Sequence, residues 1–210
     1  MKLNWFGRAL LNGPARAIAQ AYVASRMERL GGRVPGGHVL EVGCGGGVGV
    51  TTIIELFGAA QVEAIDLDPK MIERARRRLA SYGPDRVKLT VGNVTSLIAK
   101  TATFDAVFDF GAIHLEPAWK EAIAQVARVL KPGGRFFFEF VTNRCLRLSY
   151  PLMTEGFSAM APPSQEDLFH ELGKNGLAVD GTFVRPWLPA LTGWVGDLVG
   201  VAGKNPPLRR

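Results

Sequence analysis

One stretch limits the folding options of this chain more than any other. In Val39-Leu40-Glu41-Val42-Gly43-Cys44-Gly45-Gly46-Gly47 an apolar run of strand type empties into a glycine-rich loop that opens a helix. Glycines at 43, 45 and 47 let the backbone turn sharply and approach a ligand with no Cβ in the way, while the first helical turn offers free N–H groups. Alone, such a loop leaves open a tight strand-to-helix turn that binds nothing, as the lesser alternative. The next strand narrows the choice: it ends Ala64-Ile65-Asp66, roughly 20 residues on, where a carboxylate can accept hydrogen bonds from ribose hydroxyls. Loop and acid together specify a ribose-bearing cofactor before they specify a reaction.

The surrounding pattern alternates. Strand-like His38–Val42, Gln61–Ile65, Arg86–Val91 and Phe104–Phe110 are separated by a helix through about Phe57, a helix from Pro69 to about Tyr82, and a short polar stretch. A helix over Pro117–Leu130 leads through the turn Lys131-Pro132-Gly133-Gly134 into a buried strand, Arg135–Val141. Ser164 is a plausible N-cap for a helix over Gln165–Lys174, and strands near Leu177–Arg185 and Leu198–Lys204 close the chain. This order predicts an α/β fold: a Rossmann-like, seven-stranded, mostly parallel sheet with an antiparallel C-terminal strand and helices on both faces.

The length of 210 residues suits one such domain. We divide it into an N-terminal helical cap, residues 1–35, and the main domain, 36–210. Within the latter, residues 142–163 carry Tyr150, Met153 and Phe157 without clear period, and so long a loop inside a compact domain is usually functional. It reads as a substrate lid.

Composition excludes more than it selects. With 47% hydrophobic and 21% charged residues the chain resembles soluble globular proteins. Cys44 and Cys145 lie far apart and no secretory leader is visible, so a cytoplasmic setting is expected, with peripheral contact at the inner face of the membrane as an option. The net charge of +6 suits an anionic partner. No basic block is interleaved with aromatics, which argues against nucleic acid. Arginines opposite Ile18, Tyr22, Val23, Met27 and Leu30 make the first segment, 1–33, amphipathic; it either lies over the site mouth or touches an anionic membrane. Nothing in the sequence sets the oligomeric state.

LEVGCGGG at 40–47, IDLDPKMIERAR at 65–76, VGNVTSL at 91–97, FDAVFDFGAIH at 104–114 and RVLKPGGRFFF at 128–138, taken in order, resemble the class I S-adenosylmethionine-dependent methyltransferases. The likeness is strongest to the broad group that contains the ubiquinone- and menaquinone-biosynthesis methyltransferases. It implies S-adenosyl-L-methionine as cofactor and S-adenosyl-L-homocysteine as product. By that resemblance Glu41, Gly43, Gly45 and Gly47 attend the methionine end, Asp66 binds the ribose, and Leu67 packs on the adenine. Asn93 stands where aspartate is commoner, and its carbonyl can still accept from the adenine amine; Val94 offers its main-chain N–H. Asp109 and Phe110 end the fourth strand beside the methyl group. Glu41 is equally readable as a loop stabiliser, and Asp68 as a helix N-cap.

Methyl transfer needs alignment and exclusion of water more than it needs a metal. No His, Cys, Asp or Glu spacing suggests metal binding, and none is predicted. His114 is the first candidate for a general base and Glu116 the second; both are also readable as wall or helix-start residues. Tyr22, Tyr150, Met153 and Phe157 are candidate substrate contacts, in a pocket for a small lipophilic or aromatic acceptor. A nicotinamide-dependent oxidoreductase and a non-catalytic binding module are the competing readings. The first would normally space its glycines G-x-G-x-x-G, unlike Gly43, Gly45 and Gly47.

Overall fold

Apolar runs flanked by glycine turns become strands, and the amphipathic segments between them become the crossover helices. A computed structural model describes residues 14–140, 163–184 and 198–206. In chain order its elements are α1 (Pro14–Gly31), β1 (His38–Val42), α2 (Val48–Glu55), β2 (Gln61–Asp66), α3 (Pro69–Arg78), β3 (Val87–Val91), β4 (Phe104–Asp109), α4 (Trp119–Val129), β5 (Leu130–Phe140), α5 (Gln165–Lys174), β6 (Leu177–Val184) and β7 (Leu198–Lys204).

The strands form one seven-stranded sheet in the order β3-β2-β1-β4-β5-β7-β6. Neighbours from β3 across to β5 pair in parallel, whereas β7 runs antiparallel to both β5 and β6. The expected sheet is the observed one. The chain winds outward from β1 to β3 and then returns to β4 on the other side of β1, which makes the carboxyl ends of β1 and β4 the switch point beyond which ligands of such sheets bind.

Each face has its own core. On one, Val23 and Met27 of α1, Ile53 of α2 and Ile72 of α3 pack against Phe108 and Phe137. Phe108 and Phe137 stack with centroids 4.4 Å apart, and Phe57 meets both rings edge-on at 4.6 and 5.3 Å. On the other face Ile123 and Val126 of α4 and Leu168 and Leu172 of α5 cover Phe136, Phe138 and Phe140. Burying one such ring stabilises the fold by roughly 1.5–3 kcal/mol. Helix α1 therefore shares a layer with α2 and α3. A Cβ on its last residue, Gly31, would lie 2.6 Å from Phe137 Cε1, which keeps the helix end tight on the strand.

Three boundaries differ from the sequence expectation. Helix α3 ends at Arg78 and the chain closes through a turn in which the Tyr82 N–H donates to the Leu79 carbonyl, ahead of Gly83-Pro84. Helix α4 begins at Trp119, because Glu116 Oε1 accepts from the Ala118 N–H and holds the preceding turn. Strand β5 begins at Leu130, opposite Phe104, and resumes its pairing at Arg135, opposite Ala106. The turn Lys131–Gly134 is thus a bulge inside a strand, clamped by Lys131 Nζ on Asp105 Oδ1 at 2.7 Å. At α5 the capping box forms as the sequence suggests, Ser164 and Asp167 bonding each other's main-chain N–H.

Candidate active site

The glycine loop leaves β1 in a conformation closed to most side chains. Gly43, Gly45 and Gly47 have φ of 66°, 51° and 83°, the left-handed region where a Cβ is penalised. At Gly43 a Cβ would stand 2.2 Å from Ala112 Cβ, and at Gly47 it would meet Leu79 and Ala75 of the α3 segment. At Gly45 it would meet nothing within 4 Å. Gly45 is therefore the point where the loop faces open space.

The loop is tied to β2. The Cys44 N–H donates to the Ile65 carbonyl at 2.9 Å, and the Gly45 N–H donates to Asp66 Oδ2 at 2.8 Å. Asp66 Oδ1 accepts from the Asp68 N–H at 2.9 Å, and Asp68 in turn caps α3 by accepting from the Lys70 N–H. Leu67, between the two acids, is 66% exposed, an uncovered apolar side chain beside the carboxylate. Asn93 follows β3 and caps the short turn Val94–Ser96 through Oδ1, 3.0 Å from the Thr95 N–H; Val94 is half-buried. Asp66, Leu67, Asn93 and Val94 thus gather at the carboxyl ends of β2 and β3.

Beneath the loop Glu41 is buried. Its Oε1 lies 1.8 Å from where a Cβ on Gly49 would stand, and Gln20 Nε2 of α1 lies 2.9 Å from the same point. Burial, together with the negative Glu41 and Asp66, pushes the Cys44 thiol well above its usual range, so this cysteine is inert as a nucleophile.

At the ends of β4 and β5 three titratable groups converge. Asp109 is fully buried; its Oδ1 accepts from the Ala112 N–H at 2.6 Å and from the Ile113 N–H at 3.3 Å. Burial raises its pKa to about 7, with Glu139 adding to the rise and the turn's N–H groups opposing it. His114 lies on the short turn Ile113–Leu115, buried, with its ring 5.8 Å from that of Phe140. A Cβ on Gly111 would stand 3.4 Å from His114 Cε1 and 3.5 Å from Glu139 Oε2. Phe110 stacks on Phe108 at 5.9 Å, and Glu116 is half-buried outside this cluster. Tyr22 is on the outer side of α1, 37% exposed. Tyr150, Met153, Phe157 and residues 142–162 of the expected lid lie outside the described residues.

Two residues here escape the sequence reading. Glu139 carried a signal, an acid within the apolar run RFFFEFV. Gln20 carried a weaker one, an amide between helix positions that the fold buries.

The arrangement fits an adenosyl cofactor: a Cβ-free loop facing open space, a carboxylate bonded to that loop, and an exposed apolar side chain beside the acid. Residues 39–134 match a family model described as a methyltransferase domain. The resemblance to the class I S-adenosylmethionine-dependent methyltransferases is borne out over this segment. S-adenosylmethionine is the cofactor that this resemblance carries. The domain is 37% identical over 105 residues to a fatty-acid O-methyltransferase of Mycolicibacterium smegmatis, over 50% of this chain and 37% of that protein. It is 36% identical to a demethylmenaquinone methyltransferase of Symbiobacterium thermophilum, over 56% and 45% of the two chains. A ubiquinone biosynthesis O-methyltransferase of Xanthomonas axonopodis is 38% identical, over 55% and 46%. The chain therefore spans less than half the length of these curated relatives.

Among solved structures, an S-adenosylmethionine-dependent methyltransferase from Mesorhizobium loti superposes with a TM-score of 0.70 at 18% identity, covering 90% of this chain and 99% of that one. A geranyl diphosphate methyltransferase in complex with S-adenosylmethionine gives 0.69 at 18%, covering 94% of each. At that identity the likeness concerns the fold. Here β7 runs antiparallel between β5 and β6, unlike the 3-2-1-4-5-6 order of the dinucleotide fold. That difference and the family match weigh against the nicotinamide reading.

Proposed function

We propose that this chain transfers a methyl group from S-adenosylmethionine to a small lipophilic or aromatic acceptor. The observation that carries the reading is the Gly45–Asp66 hydrogen bond at the carboxyl edge, within the segment that matches the methyltransferase model. The acceptor class is supported by relatives named for a fatty acid and for quinone precursors.

In this reading Gly43, Gly45 and Gly47 bring bare backbone to the methionine end, with Glu41 beneath them. Asp66 holds the ribose hydroxyls; each of its oxygens accepts one main-chain bond and keeps a lone pair for a further donor. Leu67 packs on the adenine, the Val94 main-chain N–H donates to its ring, and Asn93 accepts from its amine. The cofactor supplies a methyl carbon already activated by positive sulfur. The protein's share is alignment and dryness, supplied by Phe110 and by the Asp109-braced turn.

His114 is the group we assign to accept the acceptor's proton, with Glu116 second. Tyr22 and the segment 142–163 would shape the acceptor side. The deciding experiment titrates the chain with S-adenosylhomocysteine by calorimetry and then incubates it with methyl-labelled donor and a panel of fatty acids, phenols and quinone precursors. Cofactor binding with label transfer is expected. No S-adenosylhomocysteine binding, or a response to NADH instead, would overturn the cofactor reading. Binding without transfer across the panel would overturn the catalytic one and leave a binding module.

A further inference from the structure

Arg26 has a buried N–H with no acceptor among the described residues. Its guanidinium carbon lies 4.6 Å from the centroid of the Phe183 ring and 5.0 Å from that of Tyr22, and Nε is shielded from solvent with no hydrogen-bond partner among the described residues. Aromatic faces attract the cation but do not replace an acceptor oxygen, and a buried donor without a partner is destabilising, the more so when charged. The next acid along α1, Glu28, is engaged by Arg33 at 2.6 Å.

Its position in the sheet is informative. Phe183 pairs with Val199, and Val199 pairs with Glu139, so Arg26 stands over the row that reaches the Asp109–His114–Glu139 cluster. Between them the floor is apolar, made by buried Val199 and by the Phe183 ring. At about 4.8 Å per strand spacing, β6 lies roughly 14 Å from β4. Ligands of such sheets bind beyond the carboxyl ends of the strands, and Phe183 is next to the last residue of β6.

We propose that Arg26 is the anchoring residue for a carboxylate carried by the acceptor, at a distance of roughly 10–15 Å from the atom that is methylated. This rests on the methyltransferase reading and refines it: the acceptor is an amphiphile, anionic at one end and reactive at the other. A carboxylate would satisfy Nε and the remaining guanidinium N–H groups, and the Tyr22 and Phe183 rings would hold the guanidinium plane toward it.

The test compares decanoate with decan-1-ol by calorimetry on the full chain saturated with S-adenosylhomocysteine. Wild type should bind decanoate about tenfold tighter or better, the scale of hydrogen bonds to a charged group. Arg26→Met should erase that preference and leave S-adenosylhomocysteine affinity unchanged; Arg26→Lys should keep part of it. Arg26→Gln, which loses the charge and stays polar, supplies the same comparison should the methionine variant not fold. Equal binding of the two probes by wild type, or a preference that survives loss of the charge, overturns the proposal. Failure of S-adenosylhomocysteine to bind wild type would instead strike the cofactor reading, and the probe comparison run without it still decides the Arg26 site.

Discussion

The Gly45 N–H donates to Asp66 Oδ2 across 2.8 Å, so the loop that ends β1 and the acid that ends β2 act as one unit. Asp66→Ala should therefore remove the ribose contact and release the loop together. We expect S-adenosylhomocysteine affinity to fall by roughly 1–3 kcal/mol, the loss associated with hydrogen bonds to a charged group. Calorimetric titration of the variant checks it, and an unchanged dissociation constant would contradict the assigned role.

Two glycines of the same loop should respond differently to one added methyl. Gly43→Ala combines a φ of 66° with a Cβ 2.2 Å from Ala112 Cβ, and should lower stability by roughly 2–4 kcal/mol. Gly45→Ala has a φ of 51° and open space around the new carbon, so its cost in stability should be about 1–2 kcal/mol. Its larger effect should be on the cofactor, into whose space the methyl projects. Urea unfolding and cofactor titration of both variants separate the two. Equal loss of stability, or normal cofactor affinity in Gly45→Ala, would contradict this reading of the loop.

Much of this arrangement is written locally. The strand-loop-helix around Gly43 and the cap at Asp68 depend on residues next to one another, and the sheet follows from the alternation of elements. What was hidden depends on distant pairing. Glu139 is read from sequence as an acid in a buried strand, but only the parallel β4–β5 register brings it beside His114 and Asp109. Arg26 belongs to an amphipathic helix whose arginines look alike, and only packing against β6 singles it out. The bulge at Lys131–Gly134 escaped because a turn sequence within a strand cannot be told from a turn before one until Phe104 and Ala106 show where the pairing resumes.

Asp109 should make stability depend on pH in the sense opposite to most carboxylates. Its ordinary value is 3.8, and in the fold burial raises it to about 7. Between those values the folded chain holds a proton that the unfolded chain has released. The group's stabilising contribution is then complete below its unfolded value, declines as pH rises, and is gone above about pH 7. Asp109→Asn keeps a carbonyl for the Ala112 N–H and cannot ionise. The difference in urea midpoint, wild type minus variant, should fall steadily from acid to neutral pH. A difference that is flat across that range would refute the assignment.

His114 offers the sharpest separation of chemistry from scaffold. It is buried on the turn braced by Asp109. If its imidazole accepts the acceptor's proton, His114→Asn should lower kcat by roughly 10²–10⁴-fold, the usual contribution of a positioned base. The KM for the cofactor should hardly move, because an interaction made only in the transition state leaves ground-state binding intact. Glu116→Gln, outside the cluster, should change kcat little. A rise in acceptor KM with kcat preserved in His114→Asn would make the residue a pocket wall, and near-wild-type values for both would return it to the scaffold. Raising the pH toward the acceptor's own pKa should restore kcat in the variant, since the ionised acceptor has no proton left to give, whereas an acceptor already ionised at neutral pH should show little loss at any pH.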